Sequence, residues 1–332
     1  LQIGGGKIEN VITNADSYAV FSGYSAGRMA LGGADSSDVT LIKLPSHLGK
    51  IGVCAFYNLI NPELVITLNT AAKLTSIESS AFYGSHLSEI NLPAVGDFGP
   101  GIFQKCTSLA EVTFHADSTF TDISQSMFNG CTALTAINIP DSVTTIDVSA
   151  FEGCTKLNEI NFGENSQLQA IEITAFKSTK LKSFVMPNNV SYLAPNAFES
   201  CSSLTSVTLS AQINRVDAQS FSGCSMLAAV HVPEENPYLE SVEGVVYDEA
   251  MTILYYFPRK KAVTGYTLPS TLVSIEPRAM MYFTGKTLEL PETLEKIGDY
   301  ALYNTKMTSL HIPKNVEHIG NEAFRAATIN TL

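Results

Sequence analysis

Positive charge is scarce in this chain, and long hydrophobic runs are missing. Lys and Arg number 20 against 32 Asp and Glu, for a net charge of −12. There is no long basic run, which argues against nucleic acid or an anionic membrane surface as partner. No apolar stretch approaches the roughly 20 residues of a membrane-spanning helix. No segment keeps a 3.6-residue apolar period over three turns, so long helices are not expected. The six cysteines contain no C-x-x-C pair, and His47, His86, His115, His231, His311 and His318 form no H-x-x-x-H, so the usual spacings of redox and metal sites are absent. Gly4-Gly-Gly-Lys7 lacks both the four-residue spacer and the following Ser or Thr of a phosphate-binding loop. No cofactor is expected.

What the chain does contain is one pattern, repeated. Between Leu134 and Cys154 it reads L-x-x-I-x-I-P, then V-x-x-I, then A-F-x-G-C. The skeleton returns at Leu157 with Ala175-Phe176, at Leu181 with Ala197-Phe198, and at Leu204 with Ser220-Phe221. Equivalents of Pro140 fall at 45, 69, 93, 115, 140, 163, 187, 210, 233, 269, 291 and 313, and every interval but one lies between 22 and 25 residues. A fixed period of this size marks a solenoid. Period-two alternation points Ile137 inward and Ala136 and Asn138 outward. Pro140 removes a backbone donor where the strand stops. Val143 with Ile146, and Ala150 with Phe151, supply two further apolar sides. One coil buries too little to offset about 1–2 kcal/mol of backbone ordering entropy per residue, so coils must stack on a shared core. With 332 residues and 45% hydrophobic content, one long array is preferred to the two domains that length alone suggests.

The recurrent I-P-x-x-V-x-x-I-x-x-x-A-F-x-x-C-x-x-L resembles the BspA-like class of leucine-rich repeats, over about residues 38–332. The single long interval fits as well: residues 236–248, followed by 252–258, resemble that family's hairpin variant, with Glu243 in place of the usual Asp before Gly244. The resemblance implies a right-handed leucine-rich repeat coil with a mostly parallel concave β-sheet, little helix and one hairpin insertion. It further implies a bacterial surface or secreted protein, in a family whose characterised members are adhesins for host matrix and plasma proteins, with no enzymatic activity. The expected organisation is an N-terminal cap over 1–38, then a solenoid of about twelve units over 39–332, with the variant unit at 234–268. The chain begins at Leu1 rather than Met; a signal peptide or lipid anchor is expected to have been removed or to lie outside this sequence. Ile329 to Leu332 align with Met307 to Leu310, a thirteenth strand without a visible cap. End-to-end pairing of its edge, or continuation into a longer protein, is the expectation there.

Cys106, Cys131, Cys154, Cys201 and Cys224 each follow the Phe position by three residues, where other units carry Ser85, Thr179 and Thr305; Cys54 sits elsewhere, just before Ala55. Small side chains of intermediate polarity suit a tight inward corner. A run of three (Cys106, Cys131, Cys154) and a pair (Cys201, Cys224) cannot pair completely along the ladder, so reduced thiols are expected although a secreted location favours bridges. His231 and His311 share the outward column of Asn138, but three rungs apart at about 4.8 Å each, too far for one metal ion.

Candidate contact residues fall in two places. The long interval, 36 residues from 233 to 269, is expected to project beyond the coil, and it gathers Tyr247, Tyr255, Tyr256 and Tyr266 beside the basic run Arg259, Lys260 and Lys261. Tyr and Arg favour binding hot spots, while the bland alternative is that these rings cover the core. The other place is the column of Ala136, which carries Glu89, Glu111 and Glu159. Glu89 and Glu111 should occupy neighbouring rungs at a spacing reminiscent of a retaining glycosidase; side by side they cost stability and could raise one pKa, whereas the alternative is a solvated acidic face. Three functions follow: a binding or adhesion module for a protein or glycan, a spacer displaying another domain, or a carbohydrate-active enzyme using Glu89 and Glu111.

Overall fold

The computed structural model describes residues 41–43, 48–68, 74–263 and 266–331. The expected cap over 1–38, the glycine-rich start and His47 lie outside the described residues. The described chain is a parallel-strand solenoid that falls into two compact units, divided after Lys180. In both, a rung has three faces.

The first face is a strand, three or four residues long in most rungs, whose central residue is buried or half-buried. Glu111–Thr113 and Ser183–Val185 show the pattern, exposed on either side of Val112 and Phe184. Neighbouring strands pair in parallel and in register. Ala136–Ile139 lies beside Glu159–Phe162, with Ile137 opposite Ile160. Ser183–Val185, Ser206–Thr208 and Ala229–His231 make a three-strand run. Registration is forced, because a slip of one residue would turn every Ile outward.

The second face is a two-residue strand. Asp122–Ile123, Thr145–Ile146 and Ala170–Ile171 pair in parallel, each burying its Ile completely.

The third face carries A-F-x-G and is a ladder built from turns. Alternate N–H groups donate to the next rung: Ser126 to the Val148 carbonyl, Phe128 to Ala150 and Gly130 to Glu152. The N–H groups between them close turns within the rung, as Met127 does on Ser124 and Asn129 on Ser126. Closing two turns in five residues requires a left-handed residue at each end, such as Ser126 (φ 55°) with Gly130 (φ 76°), or Ser149 (φ 56°) with Gly153 (φ 76°). That need explains the Gly of the motif.

The Phe of each ladder points inward. In the first unit six rings, from Phe56 through Phe82, Phe103, Phe128 and Phe151 to Phe176, follow at centroid spacings of 5.2–5.6 Å; the spacing is close to the separation of the rungs. Adjacent planes differ by 7–17°. In the second unit Phe198 stacks on Phe221, but Met280 and Leu302 fill the place of the ring in later rungs.

None of the six cysteines is in a disulfide. The corner position is defined by a hydrogen bond rather than by size alone. The Cys106 thiol donates to the Phe82 carbonyl one rung back at 2.9 Å, Cys131 to Phe103 at 3.0 Å, Cys154 to Phe128 at 3.1 Å and Cys224 to Phe198 at 3.0 Å. Ser85 makes the same bond to Phe56. Cys and Ser interchange here because each is small and carries one donor, whereas the Thr305 hydroxyl at this position donates to the Leu302 carbonyl of its own rung at 3.1 Å. Among the described residues the single helical element is the 3-10 turn Ala218–Phe221, capped by the Asp217 carboxylate accepting from the Gln219 N–H.

In the second unit the long interval forms an antiparallel hairpin, Leu239–Val242 with Val245–Asp248, followed by Ile253–Tyr256. The last strand continues in parallel into Ser274–Ile275, Lys296–Ile297 and His318–Ile319. Thr328–Thr331 pairs with Lys306–His311, so the thirteenth strand forms.

Candidate functional site

The expectation that the long interval projects from the coil fails on packing. Val245, Val246 and Tyr247 are all fully buried, so the added residues form a rung of their own. The turn is tight: Glu243 (φ 51°) and Gly244 (φ 83°) are both left-handed, the requirement of a two-residue hairpin. A Cβ on Gly244 would come within 2.5 Å of the Ala229 Cβ, and the Gly244 carbonyl accepts from the Val230 N–H, so the turn lies flat on the preceding rung. At the other end the Asp248 carboxylate accepts from the Thr252 and Ile253 N–H groups and the Thr252 hydroxyl, each at 2.6 Å.

The residues singled out in this unit therefore divide. Tyr247 and Tyr256 belong to the core. The Tyr247 hydroxyl meets that of Tyr266 at 2.6 Å, and burial pushes it well above an ordinary phenol; burial does the same to Tyr256, whose ring tilts against Phe221. The Lys261 ammonium donates to the Glu243 carboxylate at 2.8 Å and lies 5.3 Å from the centre of the Tyr266 ring; its side chain is only 11% exposed. Lys261 thus ties the loop to the hairpin turn. Tyr255 is half-buried at a notch where Arg215 donates to Glu276 at 3.1 Å. Arg259 and Lys260 are exposed, and the Lys260 N–H is fixed to the Leu227 carbonyl.

The Arg259 guanidinium lies over Tyr282, 4.1 Å from the ring centre. Tyr282 leads to a cluster that the repeat pattern had not singled out. Tyr282 meets Tyr303 edge-on at 5.7 Å, Tyr303 meets Tyr300 at 6.2 Å, and Arg278 lies over Tyr300 at 4.9 Å. All three rings are half-buried, each with part of its surface in solvent. Arg278, Tyr282 and Tyr300 occupy the left-handed positions of the turn ladder, at φ 62°, 63° and 54°. The signal was present in the sequence: where other units read S-A-F-x-G, these read R-A-M-M-Y and Y-A-L-Y-N.

On the strand face of the first unit, Glu89 and Glu111 are directly opposite one another in adjacent strands, both exposed. The hollow beside Glu89 is lined by residues 64–68 and 88–91, and Glu111 lies outside it. Glu159 stands opposite Ala136, apart from that pair, and accepts from the Asn161 amide at 3.0 Å, which also donates to Asn138 at 3.0 Å. Among the described residues, no three His, Cys, Asp or Glu side chains converge as metal ligands would, and no helix is long and apolar enough to cross a membrane.

The pattern of the BspA type leucine rich repeat region matches residues 34–132, 121–242 and 253–332, and passes over the hairpin turn between them. Among solved structures, a leucine-rich repeat protein from Bacteroides ovatus superposes with a TM-score of 0.61 at 22% identity, over 87% of this chain and 76% of that one. Another from Eubacterium ventriosum gives 0.58 at 25% identity, over 64% of this chain and 56% of that one. The chain thus spans just over half the length of the latter. No curated protein matches it.

Proposed function

Because the chain belongs to the BspA-type leucine-rich repeat family, we propose that it is a bacterial cell-surface or secreted binding module that recognises a protein or glycan through an outward face of its rungs. A host matrix or plasma protein is the kind of partner the family suggests. The observation that carries this reading is how each rung divides its side chains. Phe, Ile and Cys fill the interior, whereas in each unit the outward columns, with Asn91 and Thr113 in the first and Glu289 and His311 in the second, make an exposed and repetitive surface. Repeat scaffolds bind through such surfaces.

The competing reading, a spacer displaying another domain, is favoured by the plain polar column at Asn138 and Asn161, where one side chain satisfies the next. The test is binding of the chain to an array of matrix proteins, plasma proteins and glycans. At least one saturable ligand is expected, and none would leave the spacer. An enzymatic role for Glu89 and Glu111 has less support, since the two stand in solvent and share no pocket. Glycan hydrolysis lost on Glu89→Ala with Glu111→Ala would restore it.

A further inference from the structure

The turn ladder of the second unit carries large side chains where the fold asks for small ones. The position of Arg278 and Tyr300 is held by Ser80, Ser126, Ser149 or Asn196 in most other rungs, and that of Tyr282 by Gly84, Gly130, Gly153 or Gly223, with Glu322 and Lys105 as further large residues at the two positions. Those rungs close the same turns. A bulky residue at positive φ is a strained choice, and such strain gathers where ligands are held. The core gives no reason for it, because these side chains pack outward on one another.

The charge arrangement points to the ligand. Four arginines lie in this unit. Arg215 and Arg325 pair with Glu276 and Glu322, while Arg259 and Arg278 lie over Tyr282 and Tyr300, with no carboxylate partner among the described residues. A guanidinium lying over a ring spends no hydrogen bond on it and still has N–H groups to offer a bidentate carboxylate. Tyr303 joins the two stacked pairs into one platform of three rings.

We propose that Tyr282, Tyr300 and Tyr303, with Arg259 and Arg278 laid on the first two rings, form a docking surface for a carboxylate-bearing patch of a partner protein. The proposal rests on the binding-module reading and gives it a place and a chemistry. A protein fits better than a polyanionic glycan. The platform offers two cations beside its rings, with the Glu322 carboxylate, already paired with Arg325, bonded to Tyr300 at one edge, and the chain's net charge of −12 repels a dense polyanion beyond them.

The test replaces the cluster with the residues that other rungs use, Arg278→Ser, Tyr282→Gly and Tyr300→Ser together. A glutamate–tyrosine copolymer serves as the acidic polypeptide probe, with heparin and poly-L-lysine alongside. The copolymer should bind in a salt-sensitive manner, and the triple variant should weaken it at least tenfold while the melting temperature stays level or rises. Arg259→Lys with Arg278→Lys, which keeps the charge and loses the plane, should also weaken it. Absent or unaltered copolymer binding overturns the proposal, as does a cluster-dependent preference for heparin or a clear fall in melting temperature. If a ligand from the protein and glycan array binds the triple variant undiminished, this surface is wrong while the binding module stands. An array with no ligand removes both.

Discussion

At the level of single residues, the thiols show how finely the corner is specified. Burial pushes Cys106 and Cys154 up to about 12 and raises Cys131 well above its ordinary value; Cys224 is raised by its bond with Cys201 and by burial, and Cys54, the least buried, by burial alone. A disulfide reagent should therefore modify Cys54 promptly in the native protein and reach the other five only on unfolding; equal rates for all six would contradict the corner. The sign of the pH dependence follows. Cys106 and Cys154 ionise at higher pH folded than unfolded, so their contribution is complete below the ordinary value of 9.0 and is lost as pH rises towards 12. Each group then forfeits about 1.4 kcal/mol per pH unit over that window. Melting temperature measured against pH should be insensitive to these thiols at neutrality and fall between those limits. The left-handed positions are a second test. Ser126→Gly relieves a non-glycine residue at φ 55° and should add about 0.5–1 kcal/mol. Gly244→Ala places a methyl group into Ala229 and should cost about 2–4 kcal/mol. Urea midpoints of the two variants should move in opposite directions.

At the level of elements, the stacked rings bind rung to rung. Phe128 is fully buried between Phe103 and Phe151, so Phe128→Ala should cost about 3–5 kcal/mol. Phe128→Leu should cost clearly less, as Leu302 fills the equivalent place in its own rung without a ring. Calorimetry of both variants checks the order. These elements were legible in the sequence, because an inward position admits few side chains and a repeated rung repeats the choice. Ile137, Ile146, Phe151 and Cys154 announce their faces by spacing alone. The hairpin was legible as a hairpin but not in its placement. Tyr247 and Tyr256 are strand formers that serve equally at a surface or in a core, and only the contact of Gly244 with Ala229 turns the unit inward. Arg278, Tyr282 and Tyr300 went unread for a different reason. Their message is a departure from the small residues of the motif, and it acquires meaning only once φ is known.

At the level of the whole molecule, the acidic balance acts on stability as well as on partners. With a net charge of −12, like charges repel along the outward columns, Glu89 and Glu111 among them. Raising sodium chloride from about 10 mM to about 150 mM shortens the screening length to about 8 Å, and the melting temperature should rise. A fall would mean that attractive pairs such as Arg215 with Glu276 outweigh the repulsion. The turn ladder has a consequence for ancestry. Each rung hands its forward neighbour the same three donors and presents the same three acceptors behind it, so Ser126, Phe128 and Gly130 give what Ser149, Phe151 and Gly153 also give. Cutting the chain after Gly130 and rejoining it at Cys154 leaves matching edges. Unequal crossover between gene copies, in steps of one rung, can therefore lengthen or shorten such a protein without asking its fold to learn anything new.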